Sequence, residues 1–278
     1  MTATIPELKS LAYAIRERAI HMVARADSSH IGGTLSMADL LAVLYGDFLR
    51  VKPEDPDWAD RDRFILSKGH CCSGLYAALA LKGFFPLSDL DEYSFTDSRL
   101  MCHVSHAVPG VEWSTGSLGH GLGIGAGQAY IARKTDKPWR VCVVLSDGEL
   151  DEGSNWEAIL FAGHHQLSNL YAIVDYNKIQ SLGAVEDVIK LGDLSAKFAS
   201  FGWAPREVDG HDVEAIRAAL REPWPENQPR CLIAHTVKGK GVDYMEHKLE
   251  WHYRAPKTED LLTRALNQLQ VNYPGDHG

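Results

Sequence analysis

Apolar residues recur at helical spacing from 8 to 25, so the chain opens on an amphipathic helix. A second helical run, "MADLLAVLYGDFL", follows Ser36, which is placed to cap it. The polar patch "VKPEDPDWADRD", with two prolines, then leads to a short strand, RFILS, and to a helix over "KGHCCSGLYAALALKG". Residues 84 to 116 are turn-rich and without periodicity, and long irregular stretches inside a compact domain are often functional. Beyond them the pattern becomes regular. A Gly/Ala-rich helix over 118–134 is followed by strand RVCVVLS, a helix over 153–166 and strand LYAIVDY, then helix, strand, helix "VEAIRAALRE" and strand RCLIAHT. Residues 238–257 are loop-like, before a last amphipathic helix near 258–270.

These strands are almost wholly apolar rather than alternating, and they alternate with helices. That combination predicts an α/β fold with a parallel sheet flanked by helices. No linker interrupts it, so one domain over 1–278 is expected, with "REPWPENQP" as an exposed helix-to-strand turn. The net charge of -9 argues against nucleic acid or an anionic membrane surface as the main partner. No stretch approaches the roughly 18 apolar residues of a membrane span. The first 26 residues lack the apolar core of a signal peptide. Five cysteines form no CxxC pair, and Cys142 lies inside the run VCVVL, which suggests a reduced, cytoplasmic protein with packed thiols.

In a parallel sheet, ligands gather beyond the carboxyl ends of the strands. Asp147 follows one predicted strand and Asn177 the next, 30 residues on, about one strand-helix-strand unit. A carboxylate and an amide oxygen at one sheet edge suit a hard cation such as Mg²⁺. The alternative is a helix-capping aspartate and a turn asparagine. The stretch "LSDGELDEGSNWEA" gathers Asp147, Glu149, Asp151, Glu152 and Glu157, and that repulsion must be relieved by solvent, cations or an electrostatic task. "GHGLGIGAG" meets the loose dinucleotide pattern at Gly121, Gly123 and Ala126. It lacks the strand that must precede that pattern, so its small residues read as close helix packing against a neighbour or partner.

"SDGELDEGSNWEA…DYNKIQ" resembles the thiamine-diphosphate motif in the form used by the transketolase family, with Ser146 in place of its first glycine. The resemblance implies a thiamine-diphosphate-binding fold. It assigns Asp147, Asn177 and the carbonyl of Ile179 to Mg²⁺, and places Gly148 and Asn177 near the diphosphate. Further segments match in the family's order. "SSHIGGTLSMADLL" makes His30 a substrate contact, with Ile31 replacing a proline, and "RDRFILSKGH" places His70 at the diphosphate and active centre. "CHVSHAVPGVEWSTGSLGHG" makes His103 a substrate contact and lines the aminopyrimidine with Gly116, Ser117 and Leu118, while His120 stands where glutamine is usual. "AHTVKGKGVDYMEHKLEWHYRAP" resembles a closing loop with Lys238 and His252 over the cofactor, and Tyr253 replaces a glycine. His106, His164, His165, Cys71 and Cys72 receive no role, and CHVSH alone lacks the ligands of a metal site.

The resemblance covers roughly residues 8 to 257. A full transketolase continues with pyrimidine-binding and C-terminal domains that do not fit in 278 residues. The expectation is therefore the N-terminal subunit of a split transketolase, transferring a two-carbon ketol unit from a ketose to an aldose, both as sugars or sugar phosphates. Two such chains would join two pyrimidine-domain chains in a heterotetramer, with Glu152 near the interface, communicating with a partner glutamate. His30, His70, His103 and His252 would orient hydroxyls and shuttle protons near neutral pH. The alternatives are another thiamine enzyme, such as a 1-deoxyxylulose-phosphate synthase or oxoacid dehydrogenase component, and a cofactor-binding subunit without turnover.

Overall fold

The computed structural model describes residues 3–273; residues 1–2 and 274–278 of the expected domain lie outside it. Strands β1 (Arg63–Leu66), β2 (Val141–Ser146), β3 (Leu170–Tyr176), β4 (Ala204–Asp209) and β5 (Arg230–His235) form one sheet in the order β1-β2-β3-β5-β4. Every pairing is parallel. The apolar runs reflect burial on both faces. In β2, Cys142 and Val144 join one core cluster, whereas Val141, Val143 and Leu145 join the other.

Helices α1 (Ile5–Ala26), α2 (Ile31–Ser36), α3 (Ala38–Val43) and α4 (Cys72–Leu81) cover one face. The other face carries α5 (Gly121–Lys134), α6 (Gly153–His164), the short α7 (Val185–Val188) and α8 (Leu194–Ser200). Finally α9 (Val213–Arg221) and α10 (Glu259–Asn272) return to the first. A capping box between Thr4 and Glu7 starts α1 three residues before the periodic pattern does. On α5, a Cβ at Gly125 would lie 2.5 Å from Val143 Cγ2, so the helix can sit down on β2 only with glycine there. Gly123 and Gly127 face open space instead, with no heavy atom within 4 Å of an added Cβ.

Three expectations need correction. The second helix begins at Ile31, not after Ser36, and continues through α3 into a π-turn over Leu44–Phe48. Ser36 caps nothing: Gly33 O at 3.0 Å and Asp175 Oδ2 at 2.6 Å are both within reach of its hydroxyl, and its one proton goes to the buried carboxylate, the stronger acceptor. The helix expected from 118 starts at Gly121, since Gly119 adopts φ +85°, which a right-handed helix cannot continue. The long segment 84–116 is irregular apart from a 3₁₀ turn at Leu87–Glu92. Among the described residues no helix is long and apolar enough to cross a membrane, and all five cysteines are free.

A buried charge cluster ties α1 to α3. Arg16 pairs with Asp39 at 2.5 Å, and His211 Nδ1 lies 2.8 Å from the same carboxylate. Because Val237 N donates to His211 Nε2, the ring proton sits on Nδ1 and points at Asp39. Burial alone would raise the Asp39 pKa, but Arg16 and the His211 hydrogen bond hold it below its ordinary value. Asp39→Ala should lower unfolding free energy by about 3 to 5 kcal/mol, measured by urea titration, because it leaves a buried guanidinium unpaired. The folded pKa of Asp39 lies below the unfolded one. The wild-type contribution should therefore be complete above about pH 4 and disappear as pH falls through the folded pKa, an acid dependence that Asp39→Asn should flatten.

Candidate functional site

The carboxyl ends of β1, β2, β3 and β5 deliver their following residues to one cavity of about 250 Å³. Lys68 and His70 come from the end of β1, Asp147 and Gly148 from β2, Asn177 and Ile179 from β3, and Lys238 from β5. His30 arrives at the start of α2, His103, Gly116 and Leu118 from the irregular segment, and His252 and Tyr253 from the loop before α10. Two of the named residues, one of them expected at a partner interface rather than here, do not line this cavity. Ser117 is exposed and off the cavity wall, and Glu152 is an exposed residue preceding α6 with no capping hydrogen bond. His120 is also exposed and outside the cavity.

Beneath the cavity sits a buried ion pair that sequence reading missed. Lys68 Nζ donates to Asp175 Oδ2 and, at 2.9 Å, to Gly33 O. Asp175 also accepts from Ser36, Thr236 and Asn177 Nδ2. Burial would raise the Asp175 pKa, but Lys68 and these donors hold it below the ordinary range. Asn177 is thereby oriented with its amide nitrogen toward Asp175, and its Oδ1 accepts from Ile179 N at 3.2 Å.

Asp147 is 1% exposed, and its carboxylate accepts from Gly148 N at 2.8 Å and from Lys178 N. Burial, and then the charge of Asp175, push its pKa up to about 6. This carboxylate is therefore short of compensating positive charge. Together with Asn177 Oδ1 and the Ile179 carbonyl it makes an all-oxygen donor set that fits a hard divalent cation. Lys238 Nζ already holds that carbonyl at 2.8 Å, so positive charge is stabilised there. Ser146, where the motif has glycine, is not among the residues with positive φ, so the substitution is free of backbone strain.

Four imidazoles pack around the opening. The ring of His30 lies 4.8 Å from that of His70, 5.0 Å from His252 and 6.1 Å from His103, centroid to centroid. Burial and then neighbouring positive charge lower the His30 pKa to about 4 and that of His252 to about 3, and hold His70 well below its usual value. All three are neutral at pH 7. Lys238, itself lowered by burial to about 8, lies 2.7 Å from His252 Nδ1. Its ammonium donates to that nitrogen, so the proton of His252 sits on Nε2. One nitrogen from each of His30, His70 and His252 falls within 4.8 Å of the others, and CHVSH contributes no such group among the described residues.

Glu149 also differs from its expected place as a helix-start or solvated charge. It is 0% exposed and accepts from Ser67 Oγ, from Gly119 N at 3.0 Å and from Ser146 N at 3.2 Å. It thus ties the ends of β1 and β2 to the loop that carries Gly116 and Leu118. The available signal was weak: an acidic residue two positions after a strand-ending aspartate.

A parallel sheet whose carboxyl edge gathers oxygen donors, two lysines and neutral imidazoles has its ligand site where α/β folds of this class place one. The family model described as "Transketolase, thiamine diphosphate binding domain" matches residues 8–272, and the chain belongs to the transketolase family. It is 40% identical over 245 residues, 88% of its length and 87% of the relative's, to a protein of Phocaeicola vulgatus named as an apulose-4-phosphate transketolase subunit. It is 36% identical over 266 residues, covering 95% of itself and 96% of the relative, to a Clostridium protein named as a 6-deoxy-6-sulfo-D-fructose transketolase subunit. The transketolase structure from Campylobacter jejuni superposes with a TM-score of 0.90 at 30% identity over 99% of this chain, which spans 44% of that longer chain. The expected family, fold and enzyme class are thereby borne out.

Glu149→Ala should destabilise the full chain by about 3 kcal/mol in chemical unfolding, because two backbone N–H groups and a hydroxyl lose a buried charged acceptor.

Proposed function

We propose that the chain forms the thiamine-diphosphate and Mg²⁺ half of a transketolase active centre and moves a two-carbon ketol unit between sugars or sugar phosphates. The other half would come from a separate pyrimidine-domain chain, in a cytoplasmic heterotetramer of two plus two, with residues 1–278 acting as one diphosphate-binding domain. The observation that carries this reading is the convergence of Asp147, Asn177, Ile179, Lys238 and four histidines on one cavity. The names of the two split-subunit relatives support the division of labour. Exposed apolar residues on α5 and α6, Ile131, Leu160 and Phe161, support a partner-covered face.

Asp147, Asn177 Oδ1 and the Ile179 carbonyl would hold Mg²⁺, and Gly148, Lys238, His70 and His252 would receive the diphosphate. Bound thiamine diphosphate supplies the carbon that accepts the two-carbon unit, and the metal neutralises its phosphates. Gly116 and Leu118 would border the aminopyrimidine, with Ser117 between them in sequence but off the cavity wall. A Cβ at Gly116 would lie 3.2 Å from His103 Cδ2, so glycine keeps that wall open. Neutral imidazoles at His30 and His252, with His103 beside them, suit hydrogen exchange with sugar hydroxyls. His30 Nδ1, buried and without a partner among the described residues, is free to accept there. Glu152 would lie at the interface with the partner chain.

Co-expression with a pyrimidine-domain transketolase subunit from the same genome should yield a two-plus-two complex by light scattering, with ketol-transfer activity that needs Mg²⁺ and thiamine diphosphate. In that complex Asp147→Ala should abolish Mg²⁺-dependent cofactor binding by calorimetry, and unchanged affinity would remove Asp147 from the metal site. Pyruvate decarboxylation without ketol transfer would overturn the reaction. His103→Ala should lower turnover by about 100-fold while stability moves by no more than about 0.5 kcal/mol.

A further inference from the structure

The opposite edge of the sheet holds a second cavity, of about 460 Å³, that shares no wall with the first. It is built on the amino-terminal ends of the strands whose carboxyl ends form the cofactor site. Arg140 immediately precedes β2, Tyr171 is the second residue of β3 and Arg230 opens β5. A strand of six residues separates the two edges by about 20 Å.

The charges at this cavity do not balance. Arg50 and Arg140 share one carboxylate, Asp62, and Arg217 and Arg221 share another, Asp47. The side chains of both aspartates are 0% exposed. Arg230 has no carboxylate among the described residues. Its guanidinium donates to the Tyr171 hydroxyl and lies 4.7 Å over that ring. Of the residues that line the cavity, four guanidiniums (Arg50, Arg140, Arg221 and Arg230) face two carboxylates (Asp47 and Glu222), in a chain of net charge -9.

Two donors here are buried without partners among the described residues: Arg230 Nε and Trp224 Nε1. The wall around them is aromatic. Trp224 meets Tyr171 edge-on at 6.3 Å, and Arg206 stacks on the indole at 3.8 Å. Burial, and then the charge of Arg140, lower the pKa of Arg230, so the two cations repel across the space. A doubly charged anion would relieve that repulsion and accept the free N–H groups, and guanidinium forks match phosphate geometry.

We infer that this cavity is a second ligand site, separate from the cofactor cavity, that binds the phosphate group of a small phosphorylated molecule through Arg230, Arg140 and Trp224. Free phosphate and a nucleotide share that chemistry, and the aromatic wall would add affinity for a planar ring.

The test is calorimetric titration of the full chain, saturated with thiamine diphosphate and Mg²⁺ at fixed ionic strength, with inorganic phosphate and with AMP. Saturable binding of either probe is expected, weakened about tenfold or more in Arg230→Gln while affinity for thiamine diphosphate is unchanged. Tighter binding of AMP, lost selectively in Trp224→Leu, would identify a ligand with a planar ring, and equal binding of both probes would identify phosphate itself. Because Arg230 lies at the far edge of the sheet, its variant reports on this cavity whether or not the cofactor site is filled. If Arg230→Gln does not fold, loss of AMP binding in Trp224→Leu decides in favour and retention decides against. No saturable binding of either probe up to about 10 mM, or unchanged binding in Arg230→Gln, would overturn the site.

Discussion

Lys68 and Asp175, 107 residues apart, form the buried ion pair on which the cofactor edge of the sheet depends. Lys68 lies two residues beyond β1 and Asp175 near the end of β3, so the pair reaches across the carboxyl end of β2, the strand between them. Two charges taken out of water are tolerable only when the remaining donors and acceptors are also satisfied. Here they are satisfied by α2, through Gly33 O and Ser36, by Thr236 just past β5, and by Asn177. A single electrostatic requirement thus fixes a helix and the ends of three strands. The same requirement orients the amide of Asn177 and places Lys68 in the cavity wall.

Above that pair the backbone is held in two uncommon conformations. His30 has φ 70° and Lys178 has φ 71°, a region that costs a residue with a Cβ about 1 kcal/mol or more. Each is held there by the surrounding hydrogen bonds. His30 N donates to His252 O at 2.9 Å, and Lys178 N donates to Asp147. The first bond links the start of α2 to the loop before α10, which brings the rings of His30 and His252 together edge to face, 5.0 Å between centroids. The second locks the Asp147 carboxylate against the turn that carries Ile179. Burial then keeps His30, His70 and His252 neutral, so they act as paired donors and acceptors rather than as a ring of cations.

What was legible in the sequence follows from what is local. The strands could be read because burial on both faces makes each a continuous apolar run, and Asp147 and Asn177 because each directly ends such a run. The family motifs led to His30, His70, His103, His252 and Lys238, which the fold brings to one cavity. Lys68 and Asp175 escaped notice because neither position carries any sign of its partner across 107 residues. Ser36 resembled a helix cap because its buried acceptor lies 139 residues away. Ser117 and Glu152 come from the same motifs but lie off the cavity wall, because a motif does not encode which of its side chains face inward.

The acidic run from 147 to 157 shows how the fold tolerates concentrated charge. A 3₁₀ turn over Gly148–Asp151 sends successive carboxylates in different directions. Asp147 turns to the cavity and Glu149 into the core, where three donors meet it. Asp151 accepts from Gln180 at 3.0 Å, while Glu152 and Glu157 reach solvent. A regular α-helix beginning at Gly148 would place Glu149 and Glu152 on one face, three residues apart, where like charges repel. The tight turn before α6 instead gives each carboxylate separate surroundings. Asp147 is left with too little positive charge around it, at the point where oxygen donors from two other positions converge.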